Sequence, residues 1–256
     1  MFSSGIVKIR AWTEGHVDRI IMRYEMKNEH ISHIAMFHKL SNADDVSDDQ
    51  DECRLKDFIS YITYCQKLGL EFVSLDALLA MSPQEACKNK VVITFDDGFE
   101  SLYSVAYKEL SKRNIPYTCF ISTSLLGRAG YISKQQLKIL SKEKICSIGM
   151  HADQHILWRD ESSDKLQQDY IKCKHLLKDI IGYEPKNYAF PYGTVRAVSK
   201  KNMDAIKHMN PQAILLTRQR KLTRIFLRNP LCGLPRLDIA GYYKGYYKKE
   251  DIGLDL

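Results

Sequence analysis

A chain of 256 residues with 45% apolar and 27% charged residues can bury one substantial core, and that composition is ordinary for a soluble globular protein. Its formal charge of +7 comes from lysines spread along the chain. Without a compact basic block, nucleic acid is not an expected partner. Charged residues interrupt every apolar run, so no transmembrane segment is expected.

The opening stretch, MFSSGIVKIRAWTEGH, has no apolar core of signal-peptide length. The seven cysteines, Cys53, Cys65, Cys87, Cys119, Cys146, Cys173 and Cys232, are scattered and form no CxxC pair. That pattern suits buried thiols in a reducing compartment, and the cytoplasm is the expected location.

In chain order, residues 1–30 are mixed and read as an extension packed on or near the main domain, which spans 31–240. His33-Ile34-Ala35-Met36-Phe37-His38 reads as a buried strand with a polar tip. The acid-rich segment from Ser41 to Glu52 reads as a solvated loop, because it lacks the central glycine and ligand alternation of a calcium loop. A helix over Arg54–Leu68 follows, with Leu55, Phe58, Ile59, Ile62 and Cys65 on one face and Gly69 as its stop. Further strands are predicted at 71–74, 91–97, 117–122, 145–150, 188–190, 213–217 and 234–239. Helices are predicted at 75–81, 101–113, 134–142, 162–181 and 199–209. Strand and helix alternate without repeats or low-complexity linkers, which is the pattern of an α/β fold with a largely parallel sheet. No Gly-rich phosphate turn follows the first strand, so a barrel is expected rather than an open nucleotide-binding sheet. Residues 241–256 read as a solvated tail whose tyrosines and lysines also suit a membrane surface.

Three strand ends carry chemistry. Val91-Val92-Ile93-Thr94-Phe95-Asp96-Asp97-Gly98 is an apolar strand closed by paired acids. Adjacent carboxylates call for a compensating metal, cation or raised pKa, although Asp-Asp-Gly is also an ordinary turn. The segment Ser147 to His155 ends a strand in His151-x-x-x-His155, a spacing that faces both imidazoles one way if a helical turn begins there. Tyr188-Ala189-Phe190-Pro191-Tyr192-Gly193 ends a third strand in a tight turn whose N–H groups suit an oxyanion.

Taken in order, Thr94-Phe95-Asp96-Asp97-Gly98, His151-x-x-x-His155 and Phe190-Pro191-Tyr192-Gly193 resemble the motifs of the polysaccharide deacetylase (NodB-homology) family, carbohydrate esterase family four. The resemblance implies a single distorted (β/α) barrel that removes an N-acetyl group from an amino sugar. It implies Asp97, His151 and His155 as ligands of a divalent metal, Zn²⁺ first among the suitable ions. It also implies Asp96 as general base and the Tyr192 amide as part of the oxyanion hole, with Pro191 and Tyr192 against the substrate. Two family features are missing. No Leu-x-His-Asp-like motif supplies the usual acid, but Ile34 to His38 resembles the Leu-Met-Tyr-His strand of a circularly permuted subgroup, which makes His38 the general acid; a strand-capping histidine is the alternative. Ala189 replaces the arginine that orients the base, and Arg236 on the last strand is expected to reach Asp96 instead. Trp158 is a candidate platform for sugar stacking, with packing as its other reading.

The function expected is a metal-dependent deacetylase acting on an N-acetylated polysaccharide, oligosaccharide or sugar precursor in cell-surface polysaccharide synthesis. A carbohydrate-binding pseudoenzyme and an amidohydrolase for non-sugar amides are the alternatives.

Overall fold

The computed structural model describes residues 32–44, 48–194 and 196–247. The extension expected over 1–30 and the end of the tail, 248–256, lie outside them. The strands are β1 (His33–Phe37), β2 (Lys39–Ser41), β3 (Glu52–Arg54), β4 (Glu71–Phe72) and β5 (Lys90–Asp97), then β6 (Tyr117–Ile121), β7 (Cys146–Met150), β8 (Asn187–Ala189), β9 (Ala213–Thr217) and β10 (Leu234–Asp238). The main sheet runs β1-β10-β9-β8-β7-β6-β5-β4, all pairs parallel, and β1 also pairs with β5. That pairing closes the sheet into a barrel, with the two-residue β4 left as a spur on β5. The α/β barrel expected from the alternating pattern is thus present.

Period-two alternation sorts the strand residues into two layers. Ala35, Phe37, Val91, Ile93, Phe95, Tyr117, Cys119 and Ile121 join the core under the surrounding helices. Ile34, Val92, Phe120, Ala189, Leu215 and Leu234 form a second cluster together with Leu75, Leu78 and Ala86. The last three come from two short helices that follow α1 (Leu55–Lys67), α2 (Leu75–Ala80) and α3 (Pro83–Ala86), each capped by a serine, Ser74 and Ser82. Such caps contribute roughly 1 kcal/mol each. Helix α1 (Leu55–Lys67) buries Phe58, Tyr61, Ile62 and Cys65. Its Phe58 ring meets Phe37 edge-on at 4.9 Å, locking the helix over β1 and β5.

Helices α4 (Tyr107–Arg113), α5 (Lys134–Leu140), α6 (Ser163–Ile181) and α7 (Lys200–His208) complete most of the outer layer. The last three lie within a residue or two of their predicted bounds, because Ser133, Ser162 and Ser199 cap them and the left-handed Gly182 ends α6. The helix predicted from Ser101 instead opens as a π-helix over Leu102–Ala106 before α4 begins. Two short helices, α8 (Arg224–Arg228) and α9 (Ile239–Tyr243), escape the periodicity because neither spans two full turns. Helix α9 lies where the solvated tail was expected to start, and Ala240 and Gly241 are buried. The acidic segment contributes more than a loop: β2 and β3 pair in parallel at its two ends.

Among the described residues, no helix is long and apolar enough to cross a membrane. Gly149 on β7 shows how tightly the barrel interior is filled. A Cβ there would sit 2.5 Å from the Phe120 ring and 3.2 Å from the Asn187 carbonyl. Phe120 is fully buried and has nowhere to retreat. Gly149→Ala is therefore expected to lower unfolding free energy by about 1–3 kcal/mol through overpacking, read from urea denaturation against wild type.

Candidate metal centre

The three motif-bearing strand ends meet at the C-terminal rim of the barrel, where parallel α/β folds place their sites. Alternation fixes which groups point inward. On β5, Thr94 and Asp96 share a face with Val92 of the interior cluster; on β10, Arg236 follows Leu234. Arg236 crosses the barrel to Asp96 and makes a bidentate pair, Nη1 to Oδ1 and Nη2 to Oδ2, both at 2.6 Å. Its Nη1 also donates to the Thr94 hydroxyl at 3.3 Å, and that hydroxyl donates to the Ala35 carbonyl. Both charged residues are fully buried. Burial alone would raise the Asp96 pKa, yet the charges of Arg236 and His151 and the arginine hydrogen bonds hold it below the ordinary carboxylate value.

Asp97 is the next residue, turned the other way by a left-handed backbone of φ 70°. Its Oδ1 lies 3.3 Å from His151 Nε2 and 3.1 Å from His155 Nε2. Burial would raise its pKa, but the facing imidazoles hold it well below the usual range. The same contact raises the His155 pKa against the effect of burial. Asp97 Oδ1 nonetheless has no donor aligned for a hydrogen bond. Three ligand atoms crowd together here, all within 4.8 Å of one another. Ligands about 2.05 Å from a tetrahedral ion lie about 3.3 Å apart, so the spacing matches a metal site better than a hydrogen-bonded cluster. His151 is prepared for it: Nδ1 lies 2.9 Å from the Ala189 carbonyl, which accepts its proton and leaves Nε2 as the ligand atom. Asp97, His151 and His155 therefore fit a divalent ion.

His151 to His155 is not the helical turn that spacing suggested. It is a loop with a left-handed Ala152 at φ 64°, and the two rings still converge, with centroids 5.3 Å apart. Tyr192 is the third non-glycine residue at this rim with positive φ, at 61°. Backbone held in this region costs energy and gathers at functional sites. The Tyr192 ring packs 4.8 Å from His155 and is half exposed. Gly193 beneath it is required, since a Cβ would lie 2.6 Å from the Thr217 nitrogen.

His38 is half-buried at the end of β1. The register Phe37↔Phe95 carries it to the level of Asp96, near enough for its charge to act on Asp96, Asp97 and Asp238. Two expectations fail. Trp158 is fully buried, with its carbonyl bonded to the Asn202 amide, so neither face of its indole is open to a sugar. Pro191 is buried as well and shapes the turn, leaving Tyr192 as the exposed residue of that motif. Thr94 stands in the sequence reading only as the opening residue of the first motif, without a role, although its place two residues before Asp96 puts it on the same face of the strand.

An α/β barrel with an Asp-His-His cluster that could hold a metal ion and a buried arginine-held carboxylate at its rim defines the class. Residues 84–210 match the model described as polysaccharide deacetylase, and this stretch of the chain belongs to that family. A poly-β-1,6-N-acetyl-D-glucosamine N-deacetylase of Staphylococcus epidermidis is 26% identical over 173 residues, covering 62% of this chain and 58% of that protein. A protein of the same name from Staphylococcus aureus is 29% identical over 150 residues, covering 53% of this chain and 52% of its own length. The chain thus spans little more than half the length of these curated relatives. Among solved structures, the Streptococcus pyogenes deacetylase PplD in complex with acetate shares the fold with a TM-score of 0.70 at 20% identity, over 82% of this chain and 92% of that one. IcaB from Ammonifex degensii also gives 0.70, at 19% identity, over 82% and 91%.

Two outcomes follow from this geometry. Removing the guanidinium by Arg236→Met strands a buried charge on Asp96, so stability should fall by about 3–5 kcal/mol, while bound metal measured by elemental analysis stays at the wild-type ratio. Because His155 must be neutral to ligate and its pKa is raised, protons compete with metal at higher pH than for a free histidine. Metal affinity should therefore decline as pH falls through the range where that imidazole protonates, and a pH-independent affinity by isothermal titration would contradict the assignment.

Proposed function

We propose that this protein is a metal-dependent N-deacetylase acting on an N-acetylated amino-sugar chain, with poly-β-1,6-linked N-acetylglucosamine as the substrate class. The observation that carries the reading is the division of labour between two adjacent carboxylates. Asp97 Oδ1 lies against both histidines, whereas Asp96, one residue away, is gripped by Arg236 through both oxygens, with its Oδ2 3.8 Å from His151 Nε2. Family membership over 84–210 and the two staphylococcal relatives support the choice of an acetylated glucosamine polymer. The acetate complex of the streptococcal deacetylase, as a likeness of fold, is consistent with it.

An amide carbonyl is a poor electrophile. A divalent ion held by Asp97, His151 and His155 would polarise it and acidify the attacking water. The chain's own residues do the rest. Asp96 accepts the proton from that water; Arg236, gripping both of its oxygens, fixes the carboxylate plane. The Tyr192 N–H donates to the carbonyl oxygen as negative charge gathers there. The departing amine needs a proton, and His38, level with Asp96 on the neighbouring strand, supplies it. Tyr192, half exposed beside His155, offers its ring as one wall for the sugar. The expected place of action is the synthesis or modification of a cell-surface polysaccharide.

The test is acetate release from β-1,6-linked N-acetylglucosamine oligomers, with chelator and with Zn²⁺ restored. Asp96→Asn is expected to lower turnover by roughly 10²–10⁴-fold with metal still bound. Stoichiometric metal without acetate release from any acetylated sugar would favour a carbohydrate-binding protein. Release from simple non-sugar acetamides at equal efficiency would favour the broader amidohydrolase reading.

A further inference from the structure

The two histidines hang on a loop that is itself neither helix nor strand, yet most of its backbone polar atoms are engaged. His151 N–H donates to the Ile121 carbonyl at 3.0 Å, and the His151 carbonyl accepts from the Ser122 hydroxyl at 2.7 Å. The Ala152 and Asp153 carbonyls accept from the Thr123 and Ser124 amides at 3.3 and 3.0 Å. All of these partners belong to the end of β6 and the turn after it. Two further amides, of Asp153 and Gln154, donate to a different element. They meet Oδ1 and Oδ2 of Asp169 on helix α6, at 2.7 and 2.9 Å.

Asp169 is out of place by the rules of an amphipathic helix. Its companions on the buried stripe of α6 are Leu166, Tyr170, Cys173 and Leu177, all apolar. A carboxylate at such a position costs stability unless its oxygens are occupied. Here both are, by consecutive amides lying between the two histidines. Asp153 extends the clamp, accepting from the Thr123 hydroxyl at 2.6 Å and pairing with Lys172 of the same helix at 2.6 Å. The strained Ala152 is thus fixed from both flanks.

We infer that Asp169 is a positioning residue for the metal centre: it holds the 151–155 loop in the one conformation that turns both imidazoles toward Asp97. This rests on the metal reading proposed above. Removing such outer support typically weakens metal binding by about 10–100-fold.

The experiment titrates Co²⁺, then Zn²⁺, into metal-free wild type, Asp169→Asn and Lys172→Ala, reading dissociation constants and the visible Co²⁺ spectrum. Asparagine keeps the volume and one acceptor but turns an N–H toward a backbone N–H. The expected result is binding about 10–100-fold weaker in Asp169→Asn, with an altered Co²⁺ spectrum. Lys172, 61% exposed at its side chain, should change little when replaced. Wild-type affinity and spectrum in folded Asp169→Asn would overturn the inference while leaving the metal reading intact. No binding by wild type would overturn both. If Asp169→Asn does not fold, Thr123→Val decides, since it removes only the hydroxyl on Asp153: weaker binding supports the clamp, and unchanged binding overturns it.

Discussion

Two adjacent carboxylates buried at the end of one strand are a severe electrostatic constraint, and the protein is arranged around relieving it. Asp96 and Asp97 expose 2% and 6% of their surface. Left uncompensated, charges at that depth are costly by several kcal/mol each. The left-handed backbone at Asp97 sends the two side chains to different partners. One is met by a guanidinium from across the barrel, the other by two imidazoles from the neighbouring rim. The first solution needs the closed sheet, because β10 comes near β5 only through the β1–β5 pairing, while the histidines come from the loop after β7 on the other side of β5.

The same division shows how this chain departs from the family's motif pattern and still compensates the carboxylate. Where the family's arginine would stand, the chain has Ala189, whose carbonyl instead sets the tautomer of His151. The guanidinium arrives from Arg236 and contacts the same carboxylate. Function in such sites follows the placement of groups, not their order along the chain.

Much of this was legible in the sequence. The alternation of strands and helices read directly because buried parallel strands are continuous apolar runs and serine-capped helices announce their starts. Asp96, Asp97 and His151 drew attention because they close such runs, and His155 because of its spacing from His151. Arg236 was legible only as an argument from need: something had to steady Asp96, and an arginine on an apolar strand was available. Trp158 misled because proximity in sequence to His155 says nothing about which way a loop turns after it. The loop turns inward, and the indole went with it. Asp169 lay unread because a lone acid on an apolar stripe gives no hint of the amides it will meet, some fifteen residues upstream and across a loop. Short helices such as α8 and α9 were lost for a simpler reason, being too brief to establish a period.

The closure of the sheet has a consequence for how the protein comes into being. Strand β1 lies between β5 and β10, so the first and last strands of the barrel must be present together before either has its full set of neighbours. Asp96 meets its counter-charge only when residue 236 arrives, 140 positions later. Until then the rim carries an acid that resists burial, and the central strand has every reason to stay open to water. Assembly of the rim and completion of the fold are therefore one event: a chain caught short of its last strand is at once unstable and without the guanidinium that compensates Asp96.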